Sequence, residues 1–174
     1  MKKLVLIAIV SLFALVSNAQ FKKSDKILEG TVSYAKSEGT DAEYSISPSF
    51  GYFLSDKFAI GISAGIGTNE DGDFTEFGGY GRLYFLNIGK NLMAYTQLDL
   101  STASNKLESV KTSSFSTNVG VGANYFISKN LALSAHICDL MNYTSVESTS
   151  SFSIGFTGVN NPLSSAKFGL LLKF

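Results

Sequence analysis

The 174-residue chain is long enough for one domain, and only 16% of its residues are charged, against about 25% in soluble domains. Its 14 basic and 14 acidic side chains cancel, which excludes the clustered positive charge of a nucleic-acid-binding protein. The single cysteine, Cys138, excludes an intramolecular disulfide, and the many glycine and aromatic residues exclude a disordered chain.

The first element in chain order has the pattern of a secretory signal peptide. Lys2 and Lys3 precede the apolar run Leu4–Val16, and Ser17-Asn18-Ala19 places small residues where a signal peptidase cleaves. The run of about 13 residues is too short for a membrane-spanning helix, which needs roughly 20 residues. We therefore predict that residues 1–19 are removed and that the mature chain begins at Gln20, the alternative being an uncleaved membrane anchor.

The rest of the chain repeats with a period of two. In one segment Tyr44, Ile46 and Phe50 alternate with Ser45 and Ser47. One apolar face and one small or polar face are typical of a β-strand. Eight strands are predicted: Ile27–Ala35, Glu43–Leu54, Lys57–Gly67, Phe74–Leu86, Leu92–Ser101, Ser114–Ile127, Leu131–Asp139 and Lys167–Phe174. A further candidate, Phe152–Phe156, is either the upper part of the last strand or loop structure.

The predicted connections alternate between short and long. The short ones are Ser55-Asp56, Asn87–Asn91 and Ser128–Asn130. The long ones are Lys36–Ala42, Thr68–Asp73, Thr102–Ser113 and Leu140–Ser151 or beyond. Such alternation is typical of membrane barrels, and the small residues of the second strand face suit a narrow lumen better than a water-facing surface. We predict an all-β fold for residues 20–174, a transmembrane antiparallel up-and-down β-barrel of eight strands.

Aromatic residues on the apolar strand faces fall near the predicted strand ends. Two girdles at the two membrane interfaces are expected of such a barrel. The candidates near the periplasmic interface are Tyr52, Phe85, Tyr125 and Phe174. The candidates near the opposite interface are Tyr34, Tyr44, Phe77 and Phe115.

The end of the chain carries the most specific local signal. Phe168, Leu170, Leu172 and Phe174 alternate with smaller or polar residues up to the last position. Together with Pro48–Phe53, Phe58–Gly61, Gly81–Phe85 and Lys173-Phe174, this pattern resembles the small bacterial outer-membrane β-barrel superfamily of the OmpA and OmpX types, without a periplasmic domain. The resemblance implies an outer-membrane location in a Gram-negative bacterium. It also implies contact with membrane lipid and lipopolysaccharide, and insertion machinery that recognises the C-terminal strand.

Polar residues at inward positions are the main candidates for function. They are Glu29, Glu76, Arg82, Gln97, Asp99, Asn118, Asn124 and His136. They could line a pore or ligand site, or form a hydrogen-bonded plug, because ionised groups in a narrow interior must be paired or neutralised. The crowding of eight strands favours the plug. Cys138 is interpreted as a small filler of the same lumen.

Neither catalysis nor metal binding is predicted. Ser134 and His136 share a strand face, and Asp99 or Glu76 could supply an acid, as in a lipid-A deacylase barrel. Two positions along a strand are roughly 7 Å apart, which does not pair a nucleophile with a base. The acidic run Asn69–Asp73 lacks the glycine of a calcium loop at position six.

We therefore expect no catalytic, cofactor-binding or metal-binding residue. The expected function is structural or surface-interacting, through extracellular loops, with a plugged lumen and a surface partner that the sequence does not identify. The alternatives are a narrow porin-like transport barrel and, more distantly, a lipid-A-modifying enzyme.

Overall fold

The computed structural model of the protein describes residues 21–35, 43–69, 72–107, 110–146, 149–157 and 167–174. The predicted signal peptide and the predicted loop 36–42 lie outside these residues. Among the described residues no helix is long and apolar enough to cross a membrane. Nine strands are present in this part of the chain: β1 (Lys26–Ala35), β2 (Glu43–Phe53), β3 (Phe58–Asn69), β4 (Gly72–Ile88), β5 (Leu92–Leu107), β6 (Val110–Phe126), β7 (Leu131–Val146), β8 (Thr149–Thr157) and β9 (Lys167–Lys173).

The strands form a closed antiparallel barrel, which confirms the predicted fold class. Each of β1 to β7 pairs with the next along the chain, and β9 pairs with both β1 and β7 to close the ring. Eight strand positions result because β8 and β9 share one position beside β7. His136 pairs with Lys167 of β9, and Asp139 pairs with Thr157 of β8. The candidate segment Phe152–Phe156 therefore lies in the upper part of the last strand position.

The barrel has two different ends. We call the end with the links 54–57, 89–91 and 127–130 the turn end, and the opposite end the loop end. Strands β4 to β7 are 16 or 17 residues long, whereas β1 to β3 have 10 to 12 residues. The wall is therefore taller on the side of β4 to β7.

The predicted long links at the loop end are wrong in extent. Most of Thr68–Asp73, Thr102–Ser113 and Leu140–Ser151 is strand, and the ladder of β5 and β6 continues to the pair Leu107 and Val110. Serine and threonine can extend an antiparallel ladder, because their hydroxyls also hydrogen-bond across strands. The polar composition of these segments therefore indicates strands that extend beyond the membrane, and it does not indicate loops.

The outer surface of the barrel exposes many large apolar side chains. Ile62, in the middle of β3, is 68% exposed, and Ile154 of β8 is 70% exposed. Alternation has placed these side chains outward and the small residues inward. Because a closed barrel satisfies its own backbone groups, such a surface suits contact with lipid chains.

Candidate functional site: the barrel lumen

An aromatic cluster fills the lumen at the turn end. Phe21, which precedes β1, is only 2% exposed and stacks on Phe53 with 4.2 Å between ring centroids. Its ring also lies 4.7 Å from that of Tyr84 and 5.2 Å from that of Phe126. We call these four residues the aromatic stopper. Stacked and edge-on rings at these distances attract one another beyond the burial of their area.

A tight turn holds Phe21 in this position. Asp25 donates its backbone N–H to the Lys22 carbonyl at 3.0 Å, and Ser24 has a φ of 75°. The Ser24 N–H also donates to the Phe53 carbonyl at 2.9 Å, and the Asp25 carboxylate lies 3.5 Å from the Lys173 ammonium. The left-handed conformation at Ser24 reverses the chain, so that the residues before β1 fold back across the mouth of the barrel.

A buried ion pair lies next to the aromatic stopper. Arg82 Nη2 is 2.7 Å from Glu29 Oε2, and both side chains are only 4% exposed. Arg82 Nε donates to Gln97 Oε1 at 2.5 Å, and the guanidinium lies 4.2 Å from the centre of the Tyr95 ring. The Ser134 hydroxyl donates to the other oxygen of Glu29. Buried charges are tolerated when they are paired and hydrogen-bonded in this way.

The hydrogen-bond network continues across the lumen to the other strands. Arg82 Nη1 donates to the Tyr84 hydroxyl at 3.3 Å, and that hydroxyl donates to Asn124 Oδ1 at 2.7 Å. On the opposite side Gln97 Nε2 donates to Asp99 Oδ1 at 2.7 Å. The network joins β1, β4, β5, β6 and β7, so it spans the cross-section of the barrel.

Two glycines allow the large inward side chains to fit. A methyl group at Gly61 would collide with the Tyr80 ring, and one at Gly122 would collide with the Tyr95 ring. The sequence predicted only that small inward residues suit a narrow lumen. The role of these two glycines is to leave room for a tyrosine from another strand.

Beyond the ion pair, toward the loop end, the lumen holds a cavity of about 370 Å³. Its wall is formed by small hydroxyl residues such as Ser47, Ser63 and Ser101, and its floor by Glu29 and Arg82. Serine side chains are too short to meet in the middle of an eight-stranded barrel, and glycine has no side chain to fill the space. The lumen is therefore packed at one end and hollow at the other.

His136 and Asp139 form a hydrogen-bonded pair at the wall of this cavity. His136 Nε2 lies 2.7 Å from Asp139 Oδ1. Strict alternation would send these two side chains to opposite faces. Two extra residues of β7, Ile137 and Leu140, have no partner in the register with β6, and the resulting bulges turn Asp139 inward.

The same bulges correct the interpretation of Cys138. This residue pairs with Val121, whose side chain belongs to the outward set of β6, and it does not line the cavity. The residue that occupies the lumen next to His136 is Asp139.

The catalytic arrangement weighed from the sequence does not assemble. The Ser134 hydroxyl donates to Glu29, and His136 is bonded to Asp139 instead of to Ser134. Among the described residues no group of three His, Cys, Asp or Glu side chains could hold a metal ion.

The predicted lumen residues occupy two places. Asn124 is completely buried and bonded to Tyr84. The others line the cavity: Glu29, Glu76, Arg82, Gln97, Asp99, Asn118 and His136.

Of the predicted interface aromatics, those with exposed side chains on the outer surface are Tyr44, Tyr52, Phe77, Phe85, Phe115 and Phe174, while Tyr125 is half-buried. The side chain of Tyr34 lies outside the described part.

Three residues that contribute to the lumen were not predicted from the sequence. Phe21 lies before the first predicted strand, so no periodicity marks it. Strict alternation predicts that Asp139 points outward, because the bulges of β7 are not visible in the sequence. Lys167 lines the cavity, whereas the sequence predicted only that the last strand begins at this residue. The cluster of polar residues just after the predicted cleavage site could have suggested a turn, but no local signal shows that Phe21 enters the barrel.

Solved structures of bacterial outer-membrane barrels share this fold. The N-terminal β-barrel domain of Pseudomonas aeruginosa OprF aligns with a TM-score of 0.61 at 17% identity, covering 89% of this chain and all of that one. Neisserial surface protein A aligns with a TM-score of 0.54 at 17% identity, covering 86% of this chain and 96% of that one. No protein-family model matches the sequence, and the comparison with curated proteins finds no match. The strand topology, the apolar outer surface and these likenesses lead to one conclusion: the chain has the fold of the small bacterial outer-membrane β-barrels.

Proposed function

We propose that the protein is an integral outer-membrane barrel that acts through its surface, with a lumen closed to ions. Its apolar outer surface contacts membrane lipid and lipopolysaccharide, and its C-terminal strand is the element that the insertion machinery recognises. In this proposal the chain catalyses no reaction. The observation that carries the proposal is the closure of the turn end by the aromatic stopper and the Glu29–Arg82 network.

Closure is supported by two consecutive layers of side chains. The aromatic stopper leaves Phe53 and Phe126 with no exposed area, and Tyr84 is only 2% exposed. The guanidinium of Arg82 lies beyond it, bonded to four other inward residues or rings: Glu29, Gln97, Tyr84 and Tyr95. A hydrated ion would have to displace both layers, and the charged layer is costly to disrupt because the Glu29 and Arg82 side chains are each only 4% exposed.

A role at the surface is supported by the heights of the strands. A tilted strand needs about 9 to 11 residues to cross the bilayer. Strands β4 to β7 have 16 or 17 residues, so their hairpins project beyond the membrane at the loop end. Polar ladders such as the pairs of Ser116 with Thr144 and Ser145 with Ser150 continue on these hairpins. A projecting sheet of this kind offers a rigid surface to a partner outside the cell.

Recording from the refolded protein in planar bilayers tests the closed lumen. We expect no steady current from the unmodified barrel. Phe21→Ala should remain non-conducting or show only brief openings, because the Arg82 layer still blocks the lumen. Steady ohmic currents from the unmodified protein would contradict the proposal and favour the narrow transport barrel.

The variant Arg82→Ala separates a structural network from a gate. If the network is structural, the variant loses stability and its conductance stays near zero. If Arg82 gates a pore, the same change opens a steady current while the unmodified protein opens only transiently. Asp73→Asn, on the outer surface, serves as the control that alters charge without touching the lumen.

Shortening one projecting hairpin tests the surface role. Replacing residues 104–113 by a two-residue turn removes the top of β5 and β6 and leaves the membrane-spanning part. Intact cells treated with a membrane-impermeant cross-linker should yield an adduct of the full barrel that the shortened barrel lacks. Equal cross-linking of both, at equal surface amounts, would contradict a role for this hairpin.

A further inference from the structure

We propose that the loop-end cavity binds a linear polyamine, a small organic ion with at least two ammonium groups. The cavity of about 370 Å³ falls within the usual range of small-ligand sites. Its floor is the Glu29–Arg82 pair, so the proposal rests on the closed lumen proposed above. A ligand would enter from the loop end and stop at this floor.

The charges that line the cavity favour a cation. Four carboxylates line it, against two permanent cations, Arg82 and Lys167. Arg82 is already bound to Glu29, and Asp139 is bound to His136. Asp99 and Glu76 take part in neither of these pairs, and Asp99 accepts a hydrogen bond from the neutral amide of Gln97. Carboxylates held inside a barrel are stabilised when a counter-cation is close.

The polar atoms of the wall also match an ammonium group. The wall consists largely of hydroxyl and amide groups, which accept hydrogen bonds. Within the described part of the chain, the hydroxyl of Tyr80 and the amide oxygen of Asn118 make no hydrogen bond, although both residues line the cavity. Tyr80 is only 6% exposed, so its hydroxyl is also remote from bulk water. An ammonium group has three donors and no acceptor, which suits a wall rich in acceptors.

The spacing of the two carboxylates favours an extended ligand over a metal ion. Asp99 pairs with Tyr80, and Glu76 lies four residues farther along β4. Four residues of strand separate them by about 13 Å along the wall. No three His, Cys, Asp or Glu side chains of the described residues converge on one point. One metal ion cannot bridge such a distance, whereas the two ends of a flexible polyamine can.

Calorimetric titration of the refolded, full-length barrel in detergent micelles with spermidine tests the proposal. We expect saturable binding of one spermidine per barrel. Asp99→Asn and Glu76→Gln should each weaken binding by about tenfold or more, because each removes a charged hydrogen bond. Asp73→Asn is the matched control, since it removes a carboxylate from the outer surface and should leave the affinity unchanged.

A second variant tests the cavity itself without changing its charge. Ser63→Phe places a ring in the hollow and should abolish spermidine binding while the barrel stays folded, as judged by its heat-dependent shift on gels. Mg²⁺ and butylamine, used as separate probes, should bind far more weakly than spermidine.

Three outcomes would overturn the polyamine site. They are the absence of saturable binding, an equal loss in Asp73→Asn and Asp99→Asn, and Mg²⁺ binding as tight as that of spermidine. Titration in micelles does not depend on whether the barrel conducts. Steady currents would therefore overturn the closed lumen alone, and failure of binding in a non-conducting barrel would overturn the polyamine site alone.

Discussion

The two halves of the lumen are enclosed by the same eight strand positions but are filled in opposite ways. At the turn end, rings and long side chains from Phe21, Phe53, Tyr84 and Arg82 leave almost no exposed area. At the loop end, serines line a cavity of about 370 Å³. The width of the barrel is similar at both levels, because strand number and tilt set it. The size of the inward side chains therefore determines which half of the lumen is packed and which half contains the cavity.

The comparison teaches that a strand face described only as small or polar can serve two purposes. Inward glycines at the turn end provide room for tyrosines, as Gly61 does for Tyr80. Inward serines at the loop end, such as Ser47 and Ser63, line the cavity instead. The packed half contains the buried side chains of the lumen, and the hollow half contains the cavity.

The largest effect should come from breaking the ion pair in the packed half. Arg82→Ala leaves the Glu29 carboxylate buried without its cation, and should lower the free energy of unfolding by about 3 to 5 kcal/mol. Urea unfolding of the barrel in lipid vesicles measures it. The double variant Glu29→Ala with Arg82→Ala should recover part of the loss. Equal losses in the single and double variants would show that the pair is not coupled.

The next largest effect on the free energy of unfolding should come from a charge placed on the outer face of β3. The comparison is with the same charge placed at the adjacent inward position. Ile62→Arg places a cation in lipid and should cost about 2 to 4 kcal/mol. Ser63→Arg, one residue along β3, points into the acidic cavity and should cost much less. Both are measured by the same unfolding experiment. Similar costs at the two positions would contradict the assignment of the two faces.

The third test makes one substitution in both halves of the lumen. Ser134→Ala removes the hydroxyl that donates to buried Glu29 and should cost about 1.5 to 3 kcal/mol, as expected for a hydrogen bond to a charged group. Ser101→Ala, in the wall of the cavity, should change the free energy of unfolding by no more than about 0.5 kcal/mol. The contrast fails if Ser101→Ala is as destabilising as Ser134→Ala.

The smallest effect concerns the shape of the aromatic stopper. Phe21→Leu keeps an apolar side chain in the mouth of the barrel but loses the ring contacts with Phe53 and Tyr84. We expect a loss of about 1 kcal/mol, the typical contribution of aromatic pairs beyond buried area. Phe152→Leu, on the exposed outer face of β8, is the control and should change stability less. A larger loss in the control would mean that Phe21 is not held in the lumen.

Local patterns were enough to predict the membrane-spanning parts of the strands and most of their faces, but not the strand extensions at the loop end or the faces of β7 after the bulges. A period of two is a property of neighbouring residues, so the outward position of Ile62 and the inward position of Arg82 could both be read from alternation. The turn-end links and the closure of the barrel by the last strand were predicted on the same basis. The inward polar residues were predicted as a set, but their partners were not, because the stagger between strands depends on the closed ring.

Alternation and turn spacing along the chain are sufficient to predict an antiparallel barrel with an apolar outer face and a polar lumen. Three features became visible only in the folded barrel: Phe21 stacks on Phe53 at the turn end, bulges bring Asp139 to His136, and β8 and β9 share one strand position. Each of these depends on contacts between residues far apart in the chain. The cavity could not be predicted from the sequence either. Its volume depends on the combined size of the side chains that all eight strand positions send into the lumen.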